Sequence, residues 1–67
     1  MTMTDDRPED TSLLTIFEAA DYLALSRGAV YNLLRSGELG SIHIGRARRI
    51  PMGELRRFVR AVIANKR

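Results

Sequence analysis

The chain has 67 residues and a mass of 7.6 kDa, room for one small domain with a modest core and no large substrate pocket. Apolar residues make up 45% of it, which excludes wholesale disorder, and the absence of cysteine excludes disulfides, cysteine-held metal clusters and thiol nucleophiles. The net charge of +3 is uneven: residues 1–10 carry Asp5, Asp6, Glu9 and Asp10 against Arg7, whereas residues 11–67 carry ten cations, nine of them arginine, against four acids.

Residues 1–12 (MTMTDDRPEDTS) are expected to form a flexible acidic arm, and residues 13–67 a folded basic domain. The arm reads as a solvated tail, with competition for the basic surface as the sharper alternative. Leu13-Leu14-Thr15 is a short apolar entry able to pair as a strand. Thr15-Ile16-Phe17-Glu18 fits a capping box, in which the threonine oxygen accepts from the third amide and the glutamate reaches back. Ile16, Ala19, Ala20 and Leu23 then fall on one helical face, which predicts a first helix over 16–24. Ala24-Leu25-Ser26 makes a tight turn, and Ser26 is a good N-cap for a second helix over 27–36.

In that second helix Ala29, Val30, Leu33 and Leu34 share one side. Arg27, Gly28, Tyr31, Asn32 and Arg35 cover the other. Gly37 stands where a left-handed residue would end the helix. Ser41-Ile42-His43-Ile44 alternates as a strand with both isoleucines on one face. Gly45-Arg46-Ala47 turns the chain and Arg48-Arg49-Ile50 returns as a second strand. Pro51 suits the first turn of a third helix. Its apolar stripe of Met52, Leu55, Phe58, Val59, Val62 and Ile63, running to about Ala64, reads as core.

No catalytic pattern emerges from these elements. His43 is the one imidazole, and Glu18, Asp21, Glu38 and Glu54 sit on separate elements without metal-ligand or paired-carboxylate spacing. No cofactor motif is present, and the longest apolar run, Ala61–Ala64, is four residues where a membrane span needs about 20. The expectation is therefore a binding protein and not an enzyme.

Two helices joined by a short turn suit a helix-turn-helix whose second helix enters the major groove of duplex DNA. The polar front of the second helix sharpens that reading, because Arg27, Tyr31, Asn32 and Arg35 all donate hydrogen bonds suited to phosphates or base edges. Gly28 either allows close approach of a nucleic-acid backbone or is simply tolerated in a first turn. The hairpin adds Arg46, Arg48 and Arg49 within four residues, a basic wing able to lie along the backbone or enter the minor groove. Alternation puts Arg48 on the side of Ile50 and Arg49 opposite, unless the turn breaks the parity; one of the two is expected to be structural. Arg46, at the tip, is the foremost wing contact. Arg56, Arg57 and Arg60 lie off the stripe of the third helix and read as a solvated face.

The stretch LTIFEAADYLALSRGAVYNLLRSGEL followed by HIGRARRIPMGELRRFV resembles the excisionase-type helix-turn-helix family, small domains related in fold to mercury-resistance-type regulators. The resemblance runs from Leu14 to Val62. AADYLALSRGAVYNLLRSGEL carries the helix-turn-helix, IGRARRIP the wing and GELRRF the closing helix. It implies a mostly α winged helix-turn-helix of three helices and a small β-hairpin. It also implies a phage recombination directionality factor that bends DNA and helps a tyrosine integrase excise a prophage. Such factors bind repeated sites in attachment DNA, often cooperatively and head to tail, in the host bacterial cytoplasm. Position by position, the base-reading helix would be Arg27, Gly28, Tyr31, Asn32 and Arg35, and the wing contact Arg46. Gly28-Ala29 departs from the polar residue, such as serine or threonine, often found there, as does Met52 from the basic residue usual after the wing proline. The length also fits, with nothing left over for an effector-binding domain. The alternative is a small phage transcriptional regulator with the same domain.

Overall fold

The computed structural model describes residues 11–65. Its elements run β1 (Leu13–Leu14), α1 (Ile16–Leu23), α2 (Arg27–Ser36), β2 (Ile42–Ile44), β3 (Ala47–Pro51) and α3 (Met52–Asn65). The acidic arm expected over 1–12 lies, save for Thr11 and Ser12, outside the described residues.

Local chemistry sets the helix ends. Thr15 Oγ1 accepts from the Glu18 amide at 3.1 Å while the Glu18 carboxylate accepts from the Thr15 amide at 2.9 Å, closing the expected capping box. Ser26 Oγ accepts from the Ala29 amide at 3.1 Å and starts α2. Gly37, at φ 86°, ends α2. The Gly37 and Glu38 amides there donate to the carbonyls of Leu34 and Leu33, the paired bonds of a Schellman motif. The same motif ends α1 one residue earlier than expected, because Ala24 adopts the left-handed conformation at φ 58° and cannot continue the helix. This conformation is uncommon for a residue with a Cβ.

The sheet order is β1-β3-β2, with both pairings antiparallel. Three expectations for the hairpin are corrected. Ser41 precedes the first strand instead of starting it, Ala47 belongs to β3 instead of the turn, and Pro51 ends β3 instead of opening α3. The reason for the last is non-local. Leu13 pairs with Pro51, and the Met52 amide donates to the Ser12 carbonyl at 2.8 Å. That bond straddles the pair, so the missing proline N–H costs the ladder nothing. Gly45 alone takes a positive φ in the two-residue turn between β2 and β3, the pattern of a type II′ hairpin.

The core gathers Ala19 and Ala20 of α1, Val30 and Leu34 of α2, Leu39 of the following loop, Ile50 of β3, and Met52 and Leu55 of α3. Leu14, Ile16, Leu23, Leu33 and Phe58 pack around them half-buried. α1 contacts β1, α2, β3 and α3, which makes it the central element of the fold. Each large side chain removed from water here contributes about 1.5–3 kcal/mol. The α3 stripe is core only in its first half. Met52 and Leu55 are buried and Phe58 and Val59 half-buried, but Val62 is exposed and Ile63 is 67% exposed. α1 has eight residues against fourteen in α3, and Val62 and Ile63 line an open apolar cleft with Leu23 and Leu25 at the end of α1. The architecture is a winged helix-turn-helix: three helices with the β2–β3 hairpin as wing.

Candidate nucleic-acid interface

All five residues expected on the front of α2 are exposed, and Val30 and Leu34 on its back are buried. At 100° per residue Arg27, Gly28, Tyr31, Asn32 and Arg35 fall within one contiguous arc. Arg27 opens the helix, and its guanidinium lies 4.3 Å from the centre of the Phe17 ring on α1. A Cβ added at Gly28 would meet nothing closer than Ser26 Oγ at 3.9 Å, so the fold itself does not demand glycine there. Asn32 and Arg35 are joined one turn apart, Arg35 donating to Asn32 Oδ1 at 3.0 Å. This pair orients the Arg35 guanidinium and leaves the Asn32 amide free to donate. Arg35 also complements the negative end of the helix dipole in its last turn.

The wing distributes its arginines as alternation predicts. β3 pairs Ile42 with Arg49, His43 with Arg48 and Ile44 with Ala47. Arg48 therefore shares the face of buried Ile50, while Arg49 lies on the opposite face beside Ile42 and Ile44. Both arginines are half-buried. Arg48 Nε donates to Ser41 Oγ at 3.0 Å, which ties the wing to the residue before β2. Arg49 donates to the Arg48 carbonyl at 2.9 Å. Arg46 stands exposed in the turn, with no hydrogen bond or ion pair among the described residues. α2 and β3 both pack on α1, so one framework carries the helix face and the wing.

Several contributors went unnamed at the level of sequence. Phe17 and Ser41 each hold an arginine, Phe17 by its ring and Ser41 by its hydroxyl. Glu54 accepts from the Gly40 amide at 3.3 Å and pairs with Arg57, which pins the loop after α2 to α3 and takes up one cation of that helix. A Cβ on Gly40 would come within 2.7 Å of the Glu54 carboxylate, so the glycine makes room for this bond. Leu39, in the same loop, is a core residue. No local pattern marks either residue, since Gly40 meets Glu54 14 residues on.

Among the described residues, no group of three or more histidine, aspartate or glutamate side chains is placed to hold a metal ion. None of the described helices is long and apolar enough to cross a membrane.

A helix-turn-helix domain family matches residues 13–62. The chain is 44% identical over 54 residues to a probable excisionase of Saccharopolyspora erythraea, covering 81% of this chain and 55% of that protein. It is 42% identical over 57 residues to an excisionase of Streptomyces ambofaciens, covering 85% of this chain and 87% of that protein. The chain thus spans about half the length of the first relative and most of the second. No solved structure matches. With the matched region running from β1 into the last turns of α3 and the wing included, the chain belongs to the excisionase-type helix-turn-helix family.

Proposed function

We propose that this protein is a sequence-specific DNA-binding and DNA-bending excisionase that assists a tyrosine integrase in prophage excision. The observation that carries the reading is the pairing of an exposed donor-rich face on α2 with a basic wing on the same framework. Helix α2 enters the major groove. Arg27, Tyr31, Asn32 and Arg35 face the bases and phosphates there, and Gly28 lets the backbone approach. Arginine suits guanine, and asparagine suits adenine. The wing follows the duplex along the backbone at the edge of the adjacent minor groove, where Arg46 meets a phosphate, with Arg48 and Arg49 behind it. Gripping two grooves from one rigid body favours a bent duplex, whose bending cost is offset by the added contacts.

The protein performs no chemistry itself. Its partners are duplex DNA, the phage tyrosine integrase and further copies of itself, head to tail on repeated sites in attachment DNA. Head-to-tail contacts are heterologous, so they build an open-ended array of the length the repeats dictate. The setting is the cytoplasm of the host bacterium, where the prophage DNA lies.

The test is an excision assay on a supercoiled plasmid carrying the two prophage attachment sites, with purified integrase. Excision should rise sharply when the protein is added and should not occur with the protein alone. Integrase that excises equally well without it would overturn the excisionase role. Activity confined to a promoter would favour the small phage regulator.

A further inference from the structure

Phe17 is one of several large apolar side chains that this fold leaves exposed, and the one with a cation over its ring. It is an aromatic side chain 65% exposed on the first turn of α1, off the buried stripe of its own helix. The Arg27 guanidinium lies over its ring, 4.3 Å from the centre and across the turn of the helix-turn-helix. Both side chains line an open cleft between the start of α1 and the start of α2, about 590 Å³ in volume, together with Asp21 and Tyr31.

The way Arg27 is held differs from the way its neighbours are held. Arg35 gives an N–H to Asn32, Arg48 to Ser41, Arg49 to a carbonyl and Arg57 to Glu54. Each of those bonds uses part of the planar edge that carries the donors. Arg27 has no acceptor among the described residues, and its guanidinium carbon sits over the Phe17 ring instead. Stacking on an aromatic ring fixes the plane of a guanidinium and leaves its five N–H donors free at the rim. Asp21 lines the same cleft yet forms no ion pair with Arg27, so a carboxylate that would consume those donors is left unengaged.

Resting on the reading that α2 faces DNA, we infer that Phe17 is a positioning residue for recognition. Its ring presents the Arg27 guanidinium, edge outward, at the leading end of α2 and keeps it from folding onto Asp21. A guanidinium on an exposed aromatic face is held by an energy equivalent to about two- to fivefold in an equilibrium constant, and losing that preorganisation weakens binding by the same factor.

The experiment is a cycle of Phe17→Leu, Phe17→Tyr, Arg27→Ala and Phe17→Leu/Arg27→Ala, each titrated against a duplex selected by the wild-type protein. A companion NMR measurement follows the Arg27 Nε–H in the DNA-free protein. The stack predicts an upfield ring-current shift of that proton, kept in Phe17→Tyr and lost in Phe17→Leu. Phe17→Leu should weaken binding about two- to fivefold at an unchanged melting temperature, Phe17→Tyr should bind as wild type, and Phe17→Leu should have no effect in the Arg27→Ala background. A missing upfield shift, or an equal loss from Phe17→Leu with and without Arg27, would overturn the positioning role. A stack present by NMR beside a wild-type protein that selects no duplex would instead overturn the reading of α2, and the inference with it.

Discussion

Replacing Arg46 with alanine isolates the contribution of the wing. Arg46 is exposed in the two-residue turn and engages no acceptor among the described residues, so its removal breaks nothing inside the fold. Substitutions at such surface positions shift stability by about 0.5 kcal/mol at most. If the wing grips the duplex, Arg46 neutralises one phosphate. On duplex DNA the logarithm of affinity falls with the logarithm of salt at a slope of about 0.9 for each phosphate neutralised. Arg46→Ala should therefore flatten the salt slope by about 0.9. Across a fourfold rise in salt, from about 50 to about 200 mM, the wild-type advantage over the variant should shrink about 3.5-fold. Fluorescence anisotropy titrations at several salt concentrations, on a selected and on a scrambled duplex, measure both slopes. The loss should be the same on the two duplexes, since phosphate contacts carry no base information. Arg48→Ala serves as the contrast. It also deletes the bond to Ser41 Oγ, so its melting temperature should fall along with its affinity. An Arg46→Ala protein with an unchanged slope would refute a wing that touches the backbone.

Further substitutions probe the helix face and the core. Arg35→Ala should cost about 1–3 kcal/mol on the selected duplex and far less on random duplex, if the guanidinium oriented by Asn32 reads a base; equal losses on both would reduce it to a phosphate contact. Leu55→Ala should destabilise by about 2–5 kcal/mol, because that side chain is fully buried, whereas Ile63→Ala on the exposed last turn should stay within about 0.5 kcal/mol. Thermal unfolding separates the two, and similar melting temperatures would place the α3 stripe wrongly. Ala24→Gly should raise the melting temperature by several degrees, since relieving a left-handed alanine gains about 1–2 kcal/mol against about 0.5–1 kcal/mol of added chain entropy. A lower melting temperature would mean that Ala24 is not strained.

The features legible in the sequence are those that a few adjacent residues decide. Thr15 and Glu18 close a box on themselves, Ser26 caps its own helix, and Gly37 takes a conformation that few other residues share. The front of α2 was legible for a similar reason, because a 100° period places its five residues without reference to the rest of the chain. The misread or unread features depend on what lies opposite. Pro51 looked like a helix opener because its own neighbours favour that, and pairing with Leu13 makes it a strand residue. Val62 and Ile63 continue the apolar stripe of α3, but periodicity does not say whether another element reaches far enough to cover them. Leu39 is a single apolar residue in a loop and has no period to reveal it. The Phe17–Arg27 contact joins two helices across the turn, and residue type alone does not single it out.

Selection from a random duplex pool at physiological salt, followed by sequencing of the retained DNA, tests the central claim most directly. A protein whose α2 reads bases and whose copies align on repeated attachment sites should enrich one short motif, recurring head to tail at a fixed spacing. An inverted repeat would indicate a symmetric dimer, as a transcriptional regulator uses. Absence of any enriched motif, with binding that collapses as salt rises, would contradict sequence recognition and leave only a basic surface.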